Sequence, residues 1–224
     1  MPCIDMLYWI RMPSLRERQK TKRRERILRA AVSLFQSQGF QATTLEQIAV
    51  SAEISTGTIY NYFRNKAELL IAIVDANAKA AYEIGLKVVE NPPADPVEAV
   101  ELLTFKMCEG LLDPLTKEMW REAVAIVISQ PHTQFATSYM DNYNMVEELQ
   151  RKLLQALMDQ GLFRPDVDVM LIGDMLSESM SMRQLFFFRD DDADLDDLIE
   201  SIRQRTRALI GLIAVGNEVI RTDA

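Results

Sequence analysis

Helix-breaking residues constrain this chain most, because so few of them interrupt it. Only eight Gly and eight Pro occur among 224 residues. Between them run segments rich in Ala, Leu, Met, Glu, Arg and Gln, which lose little rotamer freedom in a helix. No alternating strand pattern, internal repeat or low-complexity tract is present. Hydrophobic residues make up 48% of the chain, enough to build a core. The expected fold is all-α with about nine helices.

Apolar spacing and breakers place those helices. Ile27, Ala30, Ala31, Leu34 and Phe35 recur at three- and four-residue intervals, predicting a helix over 16–38 that stops at Gly39. Thr44 with Gln47 three residues on is a capping-box signature for a short helix over 45–52. Glu53-Ile54-Ser55 breaks it, and a second short helix is predicted over 56–63. Asn65 can cap a longer helix from Lys66 to about Val89, ended by the proline-rich run 91–96. Further helices are predicted over 97–112, 115–129, 134–160, 167–188 and 195 to about 215.

Residues 44–63 have what a helix-turn-helix needs: a small helix, a tight turn and a second helix crossing it at a steep angle. Ile48 and Ala49 supply the inner face of the first helix. Ile54 plugs the turn, Ile59 points inward from the second helix, and Phe63 closes the unit. Thr56, Thr58, Tyr60, Asn61 and Tyr62 are left outward or at the tip, where hydroxyl and amide groups suit phosphates and base edges. Thr44 could be a cap alone, and Tyr62 packing alone.

Charge is distributed to match. Residues 1–66 carry 11 Lys and Arg against 5 acids, while the remaining 158 carry 14 against 28. A basic end on an acidic body suits a polyanion-binding module joined to a self-associating one.

The run Ile27-Leu28-x-Ala30-Ala31-x-x-Leu34-Phe35, then Gly39-Phe40-x-x-Thr43-Thr44, Ile48-Ala49 and Gly57-Thr58-Ile59-Tyr60-Asn61-Tyr62-Phe63-Arg64-Asn65-Lys66-x-x-Leu69-Leu70 resembles the tetracycline-repressor (TetR) family of transcriptional regulators. The likeness spans about residues 20–72. It implies that Thr44 binds a phosphate while capping its helix, and that Lys66 meets another phosphate at the start of the next helix. Tyr60 and Tyr62 would straddle backbone and groove, and Thr56, Gly57, Thr58 and Asn61 would approach base edges, with Ser55 beside them. A bare Gly57 would let the helix tip come close to DNA. Arg16, Lys20, Arg23 and Arg24 would follow phosphates flanking the minor groove. Two positions depart from the family pattern: Glu53 where Gly is common at the turn, and Thr56 where Lys is common.

The resemblance also implies a ligand-binding and dimerising body. Three segments are expected: an arm or start-site overhang at 1–15 (Met12 being an alternative start), a DNA-binding domain at 16–66, and the body at 67–224. Phe105, Met107, Cys108, Leu111, Trp120, Val124, Val127, Phe135, Tyr139, Tyr143 and Met145 are candidates to line an apolar effector pocket, with Arg121, Glu122 and His132 as polar anchors. The dimer seam is expected on Gly173, Leu176, Ser177 and Met180 of one helix and Ile199, Ile202, Leu209 and Ile213 of the last, with intrachain packing as the alternative. Helix 66–89 joins both units and is expected to be the only lever between them.

The expected function is a ligand-responsive regulator, a repressor by preference, that binds a palindromic DNA operator as a homodimer and is released by a small apolar or amphipathic effector. The alternative is a DNA-bound nucleoid or division protein on the same scaffold without an inducer. No enzyme signature is present, and no cofactor, metal site, signal peptide or membrane span is expected. Cys3 and Cys108 show no metal-ligand spacing and fit a reducing cytoplasm.

Overall fold

A computed structural model describes residues 14–216; the expected arm lies, up to residue 13, outside the described residues. Nine helices occur among them: α1 (Leu15–Gln38), α2 (Leu45–Ser51), α3 (Thr56–Tyr60), α4 (Lys66–Glu90), α5 (Pro96–Glu109), α6 (Lys117–Ser129), α7 (Gln134–Asp159), α8 (Val169–Arg189) and α9 (Leu195–Ile213). The all-α expectation holds.

Short polar side chains set where these helices begin. Ser14, Thr44, Ser55, Asn65, Asp95, Thr116, Thr133, Asp168 and Asp194 each accept a hydrogen bond from a first-turn amide, satisfying donors that have no partner inside the helix. Such caps shift two predicted starts. Thr116 opens α6 at Lys117, which leaves Leu115 buried in the preceding turn, and Asp168 opens α8 at Val169. Helix α3 ends at Tyr60, three residues sooner than apolar spacing implies, and residues 61–63 fold as a turn that buries Phe63.

One apolar cluster fills the head formed by α1–α3 and continues through α4 and α6 to Phe187 and Phe188 of α8. A second joins α5, α7 and the ends of α8 and α9. Gly85 is required where α4 meets this layer, because a Cβ there would lie 2.9 Å from Leu149 Cδ1 and 3.1 Å from Leu103 Cδ1. A single antiparallel pair, Phe163 with Ala214, fastens the end of α9 to the α7–α8 loop.

The expected dimer seam is corrected by the burial of its residues. Gly173, Leu176, Ser177 and Met180 are buried within one chain, as are Ile202 and Ile213. A Cβ on Gly173 would lie 3.2 Å from Arg151 Cγ, and Ser177 Oγ donates to Gln150 Oε1 at 2.5 Å, so this small-residue face receives α7. Ile199 and Leu209 are half-buried and pack on the same clusters. Apolar periodicity identified two sticky helices. With apolar residues on more than one side of α8, it could not assign each side to its partner.

Candidate DNA-reading head and effector cavity

Helix α2 crosses α3 through Ile48, Ala49, Ala52 and Ile59, all buried. Arg26 Nη2 donates to the Glu53 carbonyl at 3.3 Å, tying α1 to the turn between them. Glu53 has φ +52°, the left-handed conformation that glycine adopts most readily, so this turn carries local strain. The turn keeps its geometry despite lacking the usual residue.

Ser55, Thr56, Gly57, Tyr60 and Asn61 are exposed together at one end of the head, with Thr58 half-buried beside them. Ser55 and Thr58 are already paired: their hydroxyls lie 2.8 Å apart and the Thr58 amide donates to Ser55 Oγ. Nothing lies within 4 Å of a Cβ built on Gly57, so the fold leaves that side of the helix open. Thr44 is exposed and forms the expected capping box, accepting from the Gln47 amide at 3.2 Å while its own amide donates to Gln47 Oε1 at 2.8 Å. Arg16, Lys20, Arg23 and Arg24 are exposed along α1, and the Arg24 guanidinium lies 5.6 Å from the Phe63 ring centre.

Three side chains expected at the DNA have structural partners, of which the sequence reading allowed for only one, the packing of Tyr62. Lys66 Nζ donates to the carbonyls of Phe40 at 2.7 Å and Gln41 at 3.0 Å and sits over the Phe40 ring, so it staples α4 to the α1–α2 turn. Tyr62 is half-buried and packs on the head core. Tyr60 Oη donates to Glu46 Oε1 at 2.9 Å; this bond raises the tyrosine pKa, and Glu46 is lowered by hydrogen bonds from its own backbone amide and from Tyr60. Glu46 was missed as part of this surface because an acid is a poor phosphate contact. Its position in the first turn of α2, within reach of α3, was the available signal.

Between α4, α6, α7 and α8 lies an open-mouthed cavity of about 330 Å³. Of the predicted lining, Met107, Leu111, Trp120, Val124, Tyr139 and Tyr143 are there. Phe105, Cys108, Val127, Phe135 and Met145 are not. Phe105 and Cys108 lie elsewhere on the α5 circumference and border a crevice of about 10 Å³ against Ile199 and Ile202, while Phe135 and Val127 belong to the core packing. Burial pushes the Cys108 thiol pKa up to about 11, which keeps it protonated. Two walls were not foreseen: Val74, Asn77, Ala78 and Ala81 on α4, and Ser177, Met180, Ser181, Gln184, Leu185 and Phe188 on α8. Their polar members alternate with apolar ones at helical spacing and carried no distinguishing signal.

The expected polar anchors lie outside this cavity and do other work. Arg121 Nη1 donates to the Phe188 carbonyl and to Asp191 Oδ1, both at 2.7 Å, and His132 is exposed. Glu122 Oε1 accepts from Gln41 Nε2 at 2.7 Å, and Glu118 Oε1 accepts from the Phe40 amide at 3.0 Å. Helix α4 is therefore not the only connection to the head; α6 touches it through two carboxylates.

Residues 27–73 match the family model for bacterial regulatory proteins of the tetR family. Over that segment the chain carries the amino-terminal signature of the tetR family. Among similar proteins, the HTH-type transcriptional repressor KstR2 of Mycobacterium tuberculosis is 27% identical over 69% of this chain and 76% of its own length. The fold agrees with a protein of Mesorhizobium loti assigned to the same family, at a TM-score of 0.71 and 19% identity, covering 88% of this chain and 99% of that one. It also agrees with the Thermus thermophilus repressor FadR solved with lauroyl-CoA, at a TM-score of 0.64 and 24% identity, covering 88% and 96%.

The outward side of α8 carries an apolar stripe. Leu171, Met175, Met182 and Phe186 are exposed on α8 at spacings of four, seven and four, with Leu212 near the end of α9 and Val215 just beyond it. Among the described residues, no helix is long and apolar enough to cross a membrane.

Proposed function

We propose that this transcriptional regulator is a repressor that binds a two-fold symmetric operator as a homodimer and leaves it when a small apolar or amphipathic molecule fills the cavity. The division of labour follows the chain: 16–66 reads DNA, and 67–224 binds effector and partner. The observation that carries this reading is that α4 and α6, two walls of the cavity, are the helices bonded to the α1–α2 turn of the head, through Lys66 and through Glu118 and Glu122. A molecule displacing Trp120 or Val124 therefore acts on a helix attached to the head. Such displacement changes the spacing of two heads without altering either one.

Dimerisation is supported by the exposed α8–α9 stripe, since contiguous apolar surface on a folded protein marks an interaction site. Two short reading helices related by a two-fold axis also double the contacts that one can make, at half-sites one or more DNA turns apart. The protein works on the cytoplasmic nucleoid in this reading.

Fluorescence anisotropy against DNA flanking its own gene, repeated over a salt series and a panel of small molecules, tests it. Binding to one or a few palindromic promoter sites that weakens steeply with salt and is reversed by an effector is the expected result. Binding scattered over many non-promoter sites and unaffected by any molecule would overturn it in favour of a nucleoid-organising role.

A further inference from the structure

The charges lining and flanking the cavity restrict what can occupy it. Among its twenty lining residues there is one carboxylate, Glu147, and no Lys, Arg or His. Aromatic surface is supplied by Trp120 and Phe188, stacked with centroids 5.2 Å apart, and by Tyr139 and Tyr143.

The charges just behind the lining are mostly of the same sign, and the guanidinium of Arg121 on the Phe188 carbonyl is already paired with Asp191. Asp75 on α4 accepts from Asn142 Nδ2 at 2.6 Å and from Ser138 Oγ at 3.2 Å. Both partners are neutral, and Asn142 itself lines the cavity. At the other end Glu147 and Asp174 share one cation, Arg151, at 3.1 Å and 2.7 Å. Burial raises the Tyr143 pKa, a hydrogen bond with Ser181 offsets part of that, and the negative charges of Glu147, Glu178 and Asp174 act in the raising direction. On the side of Asp75 and Tyr143, four carboxylates thus stand against one guanidinium that is already doubly engaged.

Resting on the effector-cavity reading, we propose that the cavity is selective for aromatic or amphipathic organic cations and disfavours anions of similar shape. A cation gains the quadrupoles of the aromatic walls and the field of Glu147 and Asp75, in a site whose partial burial strengthens both. A carboxylate or phosphate placed there loses hydration and meets no positive partner. The chain thereby departs from any relative whose ligand is an acyl thioester bearing phosphates.

Tetraphenylphosphonium and tetraphenylborate form a test pair, alike in shape and opposite in charge. Isothermal titration calorimetry on the full chain should show the phosphonium binding at least about tenfold more tightly than the borate, a difference of about 1.4 kcal/mol. Glu147→Gln and Asp75→Asn should each narrow that ratio, with circular dichroism melts reporting whether each variant is folded. Borate binding as tight as phosphonium binding would overturn the cation preference and leave the effector-cavity reading standing. Silence from both ions would also overturn it. Neutral triphenylmethanol, titrated alongside, then decides the broader reading: its binding preserves an effector cavity, and its silence removes that too.

Discussion

The Phe40 amide donates to the Glu118 carboxylate at 3.0 Å, joining the α1–α2 turn of the reading head to the second residue of α6. This bond spans 78 positions of sequence and joins the candidate reading head directly to a helix that lines the cavity. Glu118→Ala should cost about 1 kcal/mol of stability, as expected for one half-buried charge-assisted hydrogen bond. Operator affinity without effector should change little, while the effector concentration needed for release rises. Denaturant melts and anisotropy titrations measure the two effects separately, and unchanged release would remove α6 from the coupling.

Gly57→Ala separates reading from folding. No atom of the protein crowds a Cβ at this position, and alanine favours helix, so stability should stay level or rise by up to about 0.5 kcal/mol. Operator affinity should fall severalfold because the methyl group holds the helix tip away from the base edges. A stable variant with undiminished affinity would show that Gly57 does not approach DNA.

Lys66→Ala should act on the fold as well as on DNA. The ammonium carries two carbonyl bonds and a cation–π contact, whose loss should cost about 1 to 2 kcal/mol. The melting temperature and operator affinity should therefore drop together. A drop in affinity alone would make Lys66 a simple phosphate contact.

Glu53→Gly should stabilise the head by about 1 kcal/mol, because glycine adopts φ near +52° without the Cβ clash. The Arg26 bond to the residue 53 carbonyl survives, since it uses backbone only. Urea midpoints of the two proteins provide the comparison.

Met175→Glu and Leu212→Glu place charge on the exposed stripe and should yield folded monomers by analytical ultracentrifugation. Ile202→Glu, aimed at a residue only 5% exposed, should instead destroy folding. A dimer that tolerates both stripe substitutions would move the interface elsewhere.

The head was legible in the sequence because its signals are local: a cap and its return partner at Thr44 and Gln47, a plug at Ile54, and inward apolar residues at fixed offsets. The cavity was legible only by half. Trp120 and Tyr143 announce themselves by type, whereas Asn77, Ser181 and Gln184 gain meaning only when α4 and α8 are brought face to face. The apolar seam was expected on the packed side of α8 for a related reason. Leu176 and Met175 are adjacent and equally apolar, and the packing of α7 against Gly173 and Ser177 decides which of them is buried. Lys66 was read as a contact for DNA because a cation's intramolecular carbonyl partners, 25 residues away, leave no trace in spacing.

Helix α6 begins with alternating allegiances. Glu118 and Glu122 hold the head, while Lys117 Nζ donates to the carbonyls of Asp190 and Asp191 at 2.8 Å and 3.1 Å, and Arg121 binds Phe188 and Asp191 at the end of α8. Acids and bases on neighbouring faces of two helical turns thus connect one head to the helix pair that a partner chain would share. A single occupied cavity in a dimer would then be registered at the symmetry axis as well as at its own head. Two sites wired this way answer as one, and the steepness of the response would be written in four side chains of a single helix.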